Sequence, residues 1–311
     1  MKLSFFLKHK DGALMKAIKR LIQLSCLALL FIGMVSYSNA NTPSLLNEDD
    51  SNTTNLTLYF NKETGAQFAA RTHSAPENPS PRLQITFYTL KWDNKSPQDV
   101  HIEHGIHSFN IHNVIGVSTS VVDGEEMVDE YKFDAGYNNG EAISHNQARL
   151  TMLAILKDLK QKGWQRYIEL SAPRLDGKDA IKFANSKHYS LDADYPYSLD
   201  EWMQLKNGAY WQLQANGIFL TIQMYRQRNE TEPNAGKYYV SYKLQSEKKF
   251  YAPYYWDFDK SVEQNTKHWV SLYPEGKKQM NQARAKQEAE LKTKGININE
   301  SYQDPPLVSK K

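Results

Sequence analysis

The sequence predicts an α+β fold: antiparallel sheets with packed helices, arranged as two subdomains, with a helical C-terminus. Three observations carry this prediction. Asn216-Gly217 separates two runs in which apolar residues recur at every second position. Apolar residues at spacings of three and four mark residues 145–162. Residues 275–294 are rich in Lys, Gln, Ala and Glu, which favours helix over strand.

Residues 1–40 read as a signal peptide. Lys16, Lys19 and Arg20 precede an apolar run over 21–35, which ends in the small-x-small triplet Ser38-Asn39-Ala40. A positive region, a short apolar region and a small-residue exit are the parts of a secretory signal. The run is shorter than the roughly 20 apolar residues a bilayer-spanning helix needs. Cleavage after Ala40 is expected to leave an exported mature chain with no transmembrane anchor. A start at Met15 would make the signal tidier. Residues 41–55 are polar and read as a disordered leader.

Export changes the charge balance. The whole chain carries 38 Lys+Arg against 35 Asp+Glu, net +3, and residues 1–40 hold six of the cations and one anion. The mature chain is therefore near neutral, which gives no reason to expect nucleic acid as a partner. The single cysteine, Cys26, lies inside the apolar run. As a lipidation site it is poorly framed: Gln23 stands where Leu is usual, and apolar residues continue after it. Without Cys26 the mature chain has no disulfide, thiol nucleophile or Cys-ligated zinc.

Along the mature chain, residues 56–60 form a first strand. Pro76, Pro79 and Pro81 mark a loop over 73–81, and residues 83–90 alternate as a strand. Residues 106–122 are rich in β-branched side chains and broken by Asn113 and Gly116, which predicts one long bent strand or two. Residues 127–133 follow as another. In the helix over 145–162, Ser144 is the N-cap; Ala148, Met152, Ile155, Leu156 and Leu159 form the apolar stripe, and Gly163 is the C′ residue. Residues 164–170 return as a strand.

The polar stretch 185–197 is the expected boundary, dividing an α+β subdomain over 56–190 from a second over 191–311 with C-terminal helices. Ser198 caps a short helix through Leu205. Trp211, Leu213 and Ala215 then alternate up to Asn216-Gly217, and Ile218, Leu220, Ile222 and Met224 follow it. Asn-Gly suits a type I′ hairpin turn, because both central residues need positive φ. Residues 238–244 form the third strand of this meander. Asp259 or Ser261 caps a helix to about Leu272. The helix over 275–294, ended by Gly295, has little apolar surface and is expected to pack weakly or project into solvent.

Three features could carry chemistry. His101, His104 and His107 would share a helical face, but Gly105 and the β-branched surroundings argue strand or loop, so no metal site is assigned. No Gly-x-Ser-x-Gly motif and no phosphate-cradling loop is present. Asp123, Glu125, Glu126, Asp129 and Glu130 surround Gly124. They fit a hairpin tip in water, or an anionic loop that reaches a cationic pocket on a partner. Phe250, Tyr251, Tyr254, Tyr255, Trp256 and Phe258 fit either a junction between sheet and terminal helices or a binding platform. Glu125, Glu126, Tyr255 and Trp256 are the residues expected at a partner interface.

Gly163-Trp164-Gln165-Arg166-Tyr167-Ile168, Pro173-Arg174-Leu175 and the ending Ile298-Asn299-Glu300-Ser301-Tyr302-Gln303-Asp304-Pro305-Pro306 give residues 56–306 a style that resembles the periplasmic immunity proteins accompanying toxins of bacterial type VI secretion. The resemblance implies a non-enzymatic exported protein, without cofactor, that binds one cognate toxin and blocks its active site. It assigns no functional residue. The alternatives are an envelope hydrolase acting on cell wall or lipid, and a non-catalytic envelope-binding protein.

Overall fold

A computed structural model describes residues 56–77, 85–122, 127–138, 141–228, 232–255 and 262–309. The leader segments 1–40 and 41–55 lie outside the described residues, as do Asp259 and Ser261. In order, the elements are β1 (Leu56–Tyr59), α1 (Gly65–Thr72), β2 (Pro76–Glu77), β3 (Ile85–Lys91), β4 (Gln98–Glu103), a 3-10 turn (Gly105–His107), β5 (Phe109–Val122), β6 (Glu130–Gly136), β7 (Ile143–Ser144), α2 (His145–Gln161) and β8 (Gln165–Arg166). There follow α3 (Gly177–Ser186), α4 (Leu199–Gln204), β9 (Ala209–Ala215), β10 (Ile218–Arg228), β11 (Ala235–Ser246), α5 (Glu247–Tyr251), a second 3-10 turn (Ala252–Tyr255) and α6 (Val262–Lys292).

The expected α+β class is found. Eleven strands form one sheet in the order β1-β4-β5-β6-β11-β10-β9-β8, with β3 also on β5 and short β2 and β7 at its margins. Ten of the eleven strands take part in antiparallel pairs; β1 instead runs parallel to β4, with Leu56 opposite Val100. The sheet does not divide near residue 190. β6 pairs with β11, so strands from both sides of that point share one ladder, and Thr54–Lys311 form one compact unit.

Local chemistry explains the elements. Asn216 and Gly217 have φ of 43° and 80°, so the β9–β10 turn is the left-handed type the dipeptide favours. In β5 the register shifts between Val114 and Gly116, and this bulge bends the strand so that β4 and β3 share its two halves. Ser144 Oγ accepts from Gln147 N to cap α2, whose buried face is Ala148, Met152, Leu156 and Leu159. At its other end Gly163 N–H donates to Lys160 O and Trp164 N–H to Leu159 O, a Schellman closure that needs the positive φ of Gly163. Ser198 and Glu201 form a reciprocal capping box on α4, as do Thr64 and Gln67 on α1.

The inward sheet face carries Val100, Ile102, Ile111, Tyr131, Phe133, Trp211, Leu220, Ile222, Met224 and Leu244, all nearly inaccessible. Three expectations need correction. The run 164–170 is not a full strand: the ladder covers Gln165 and Arg166, Tyr167 N–H adds one bond to Gln212 O, and the chain then turns away to meet the C-terminus. Helices expected as two pieces, to Leu272 and over 275–294, are one helix through Pro274. Nor does α6 pack weakly. Its Arg284, Gln287 and Glu288 reach into the 168–174 loop, so polar bonds replace the apolar stripe that its second half lacks. Among the described residues, no helix is long and apolar enough to cross a membrane.

Candidate functional site

The segment between β4 and β5 stands out by its exposure and its fastening. Gly105 has φ +59°, with open space where a Cβ would lie, and starts a single 3-10 turn. At the apex Ile106 is 87% exposed, the most exposed large apolar side chain among the described residues. Both sides of the apex are tied down. His104 Nε2–H donates to Ala215 O (2.9 Å), and His107 Nδ1–H donates to Lys162 O (2.7 Å). The Trp164 indole N–H donates to His107 O (2.9 Å). Within the turn, Gly105 N–H meets Glu103 Oε1, His104 N–H meets Ser108 Oγ, and Ser108 Oγ–H meets Gly105 O.

These bonds do more than hold one turn. In the sheet order β4 and β9 are separated by β5, β6, β11 and β10, yet His104 touches the end of β9. The sheet is curled so that its flanks meet, and the turn is the latch. Burial lowers the His104 imidazole below its usual value.

The other histidines of this region serve separate ends. His101 Nδ1 meets Asn110 Oδ1, and His112 Nδ1 meets Asp99 Oδ2 (2.7 Å each), both across the β4–β5 pair. His104 and His107 lie with ring centroids 5.5 Å apart, each committed to a carbonyl. Among the described residues, no group of three or more His, Cys, Asp or Glu is arranged to hold a metal.

Of the residues expected at a partner interface, Glu125, Glu126 and Trp256 lie outside the described residues. Tyr255 is half-buried and belongs to the junction between the second 3-10 turn and α6. A Cβ at Gly276 would overlap its ring, and Tyr273 stands edge-on at 6.4 Å. The neighbouring aromatics share that role. Phe250 stacks on Phe219 at 3.9 Å and Tyr251 on Trp269 at 5.9 Å. Asp129 and Glu130, read with the acidic tip, are buried instead. Glu130 faces Lys132 and Lys243 at 3.6 Å, and Asp129 faces Lys248 at 3.3 Å. Burial alone would raise the Glu130 carboxyl, but Lys243, Lys249 and Lys132 outweigh it and hold it at about 2. Ile106 went unnoticed because it reads as the first residue of a β-branched strand; the preceding Gly105 is the signal that it begins a turn.

The three segments that carry the family resemblance converge. Tyr302 Oη accepts from Ile168 N–H, Asn299 N–H donates to Arg174 O, and Arg284 bridges Asp304 to the carbonyls of Glu169 and Ala172. They fasten the C-terminus to the sheet. Comparison with protein-family models, with curated proteins and with solved structures finds no match for this chain.

Proposed function

We propose that this protein is an exported inhibitor, an immunity protein that binds and neutralises a toxin acting in the periplasm, and that the Ile106 turn is its principal contact. One observation carries the reading: a single apolar side chain, 87% exposed, is held at the apex of a turn latched to β9 and to the end of α2. Seating an isoleucine in a partner's cavity is worth about 1.5–3 kcal/mol. A turn already fixed by its own bonds loses little further freedom on docking, so most of that gain is kept as affinity. Protein inhibitors whose contact surface is already ordered change little on binding. The secretory pattern of residues 1–40 and the resemblance of residues 56–306 support the same reading, which is non-catalytic.

The test is binding to the product of a neighbouring secreted-toxin gene. A one-to-one complex is expected by light scattering, and Ile106→Asp should weaken it at least tenfold while leaving the melting temperature within about 2 °C. Absence of any complex would reject the inhibitor reading. A complex indifferent to Ile106→Asp would reject the turn as its contact.

A further inference from the structure

Away from the latch, the outward side of β9 gathers ionisable groups that the packing does not employ. Glu169 lies just beyond β8, half-buried, and among the described residues its carboxyl makes neither a hydrogen bond nor an ion pair. Burial alone pushes it above the usual carboxylate range, with no cation to offset the shift. Its neighbours are tyrosines. The Tyr210 ring is 5% exposed on the outward face of β9, and its hydroxyl is buried with no hydrogen-bond partner. Tyr167 N–H donates to Gln212 O (2.8 Å), two residues from both Glu169 and Tyr210, and the Tyr254 ring lies 6.3 Å from Phe250, which stands edge-on to Tyr167 at 5.3 Å. These contacts bring Glu169, Tyr210 and Tyr254 around one junction, and burial first, with Glu169 next, raises both tyrosine hydroxyls. Tyr254, 39% exposed, stands at the rim. The exposed His188 ring stacks on Tyr210 at 4.4 Å. Two residues along the same face of β9, Gln212 Oε1 is a second buried acceptor without a partner.

The set is rich in acceptors and aromatic faces, and it holds one carboxyl that no positive charge answers. A buried carboxylate is costly unless paired. An anion would be repelled here, and a neutral polyol would meet the hydroxyls but leave the charge unanswered. A positive group satisfies the carboxylate, donates to the tyrosine oxygens and is attracted to the ring faces.

We propose that Glu169, Tyr210 and Tyr254 form a binding site for an organic cation, an alkylammonium or guanidinium group. Two sources share that chemistry: a small free amine, and a Lys or Arg side chain offered by a protein. The site is independent of the Ile106 turn and does not rest on the inhibitor reading.

Calorimetric titration of the full chain with butylammonium and butylguanidinium tests the site, with glucose and butanol as uncharged probes. Saturable binding of the cations is expected, at least tenfold weaker in Glu169→Gln and about fivefold weaker in Tyr254→Ala. The melting temperature of Glu169→Gln should stay level or rise, since the variant removes an unanswered charge; a purely structural carboxylate would lower it. N-acetyl-lysine amide or N-acetyl-arginine amide binding tighter than the simple amines indicates a protein side chain, and the reverse order a free amine; either supports the site. Equal binding of glucose, undiminished binding in Glu169→Gln, or no saturation by either cation at 50 mM would overturn it.

Discussion

In the sheet, Leu220, Ile222, Met224 and Leu244 are fully buried and touch other apolar side chains, whereas the second half of α6 meets the rest of the protein through Arg284, Gln287 and Glu288. Arg284 is 6% exposed and spends its guanidinium on Asp304 and on the carbonyls of Ala172 and Glu169. Glu288 takes two bonds from the Arg174 side chain and one from its backbone N–H. The two regions are equally well buried at these points but differ in tolerance. An apolar contact degrades gradually as methyl groups are removed. A buried ionic network fails abruptly, because the surviving partner is left charged in a site without water. The sheet therefore behaves as a graded store of stability and the α6 dock as a fastening that holds or releases.

Three changes sharpen this contrast. Arg284→Ala should have the largest effect, about 4 kcal/mol on the α6 dock, by stranding two carbonyls and leaving Asp304 with only Lys277 at 3.7 Å. It should appear in urea as a separate early transition, with hydrogen exchange in 262–292 quickening before that of β10 and β11. A single unchanged transition would show that α6 is not fastened in this way. Leu220→Ala should cost about 3 kcal/mol and move the whole transition without splitting it. Acid acts on a third kind of contact, the Glu130 cluster. Its carboxyl has a folded value of about 2, below the ordinary 4.5, so its contribution is fully present above 4.5 and is lost as pH falls from 4.5 through about 2. That contribution is up to about 3 kcal/mol, less the cost of burying Lys243, whose ammonium burial pushes down. In Glu130→Gln the acid sensitivity over that interval should shrink, as measured by denaturant midpoints at stepped pH.

The same contrast decides what could be read from the sequence. Strands with one buried face announce themselves by alternation, which is why the β9–β10 hairpin and residues 238–244 fall where expected, and why the stripe from Ala148 to Leu159 locates α2. The α6 dock leaves no such trace. Over residues 275–292 its buried residues are Arg284 and Glu288, so the apolar count there predicts a solvated helix where the structure has a docked one. The parallel β1–β4 pair was equally silent, since a short alternating run says nothing of direction. Thr64-x-x-Gln67, a capping box written plainly in the sequence, was a usable signal for α1. For the cation site proposed beside β9 the only hint was a charged residue in the otherwise apolar run Tyr167-Ile168-Glu169-Leu170. The tyrosines that surround it come from β9 and from beyond β11, and only the fold brings them together.

The ladder between β6 and β11 joins positions as far apart as 115 residues, and the His104 latch spans 111. Contacts of such long range form late and slow a chain's folding. A polypeptide made on the ribosome, or threaded amino end first through a translocation channel, would present the bare flank of β6 until the segment near residue 246 had emerged. For that interval the amino-terminal half holds a ready template for unwanted strand addition. Its survival depends on the speed of synthesis or on a chaperone that occupies the edge until β11 arrives.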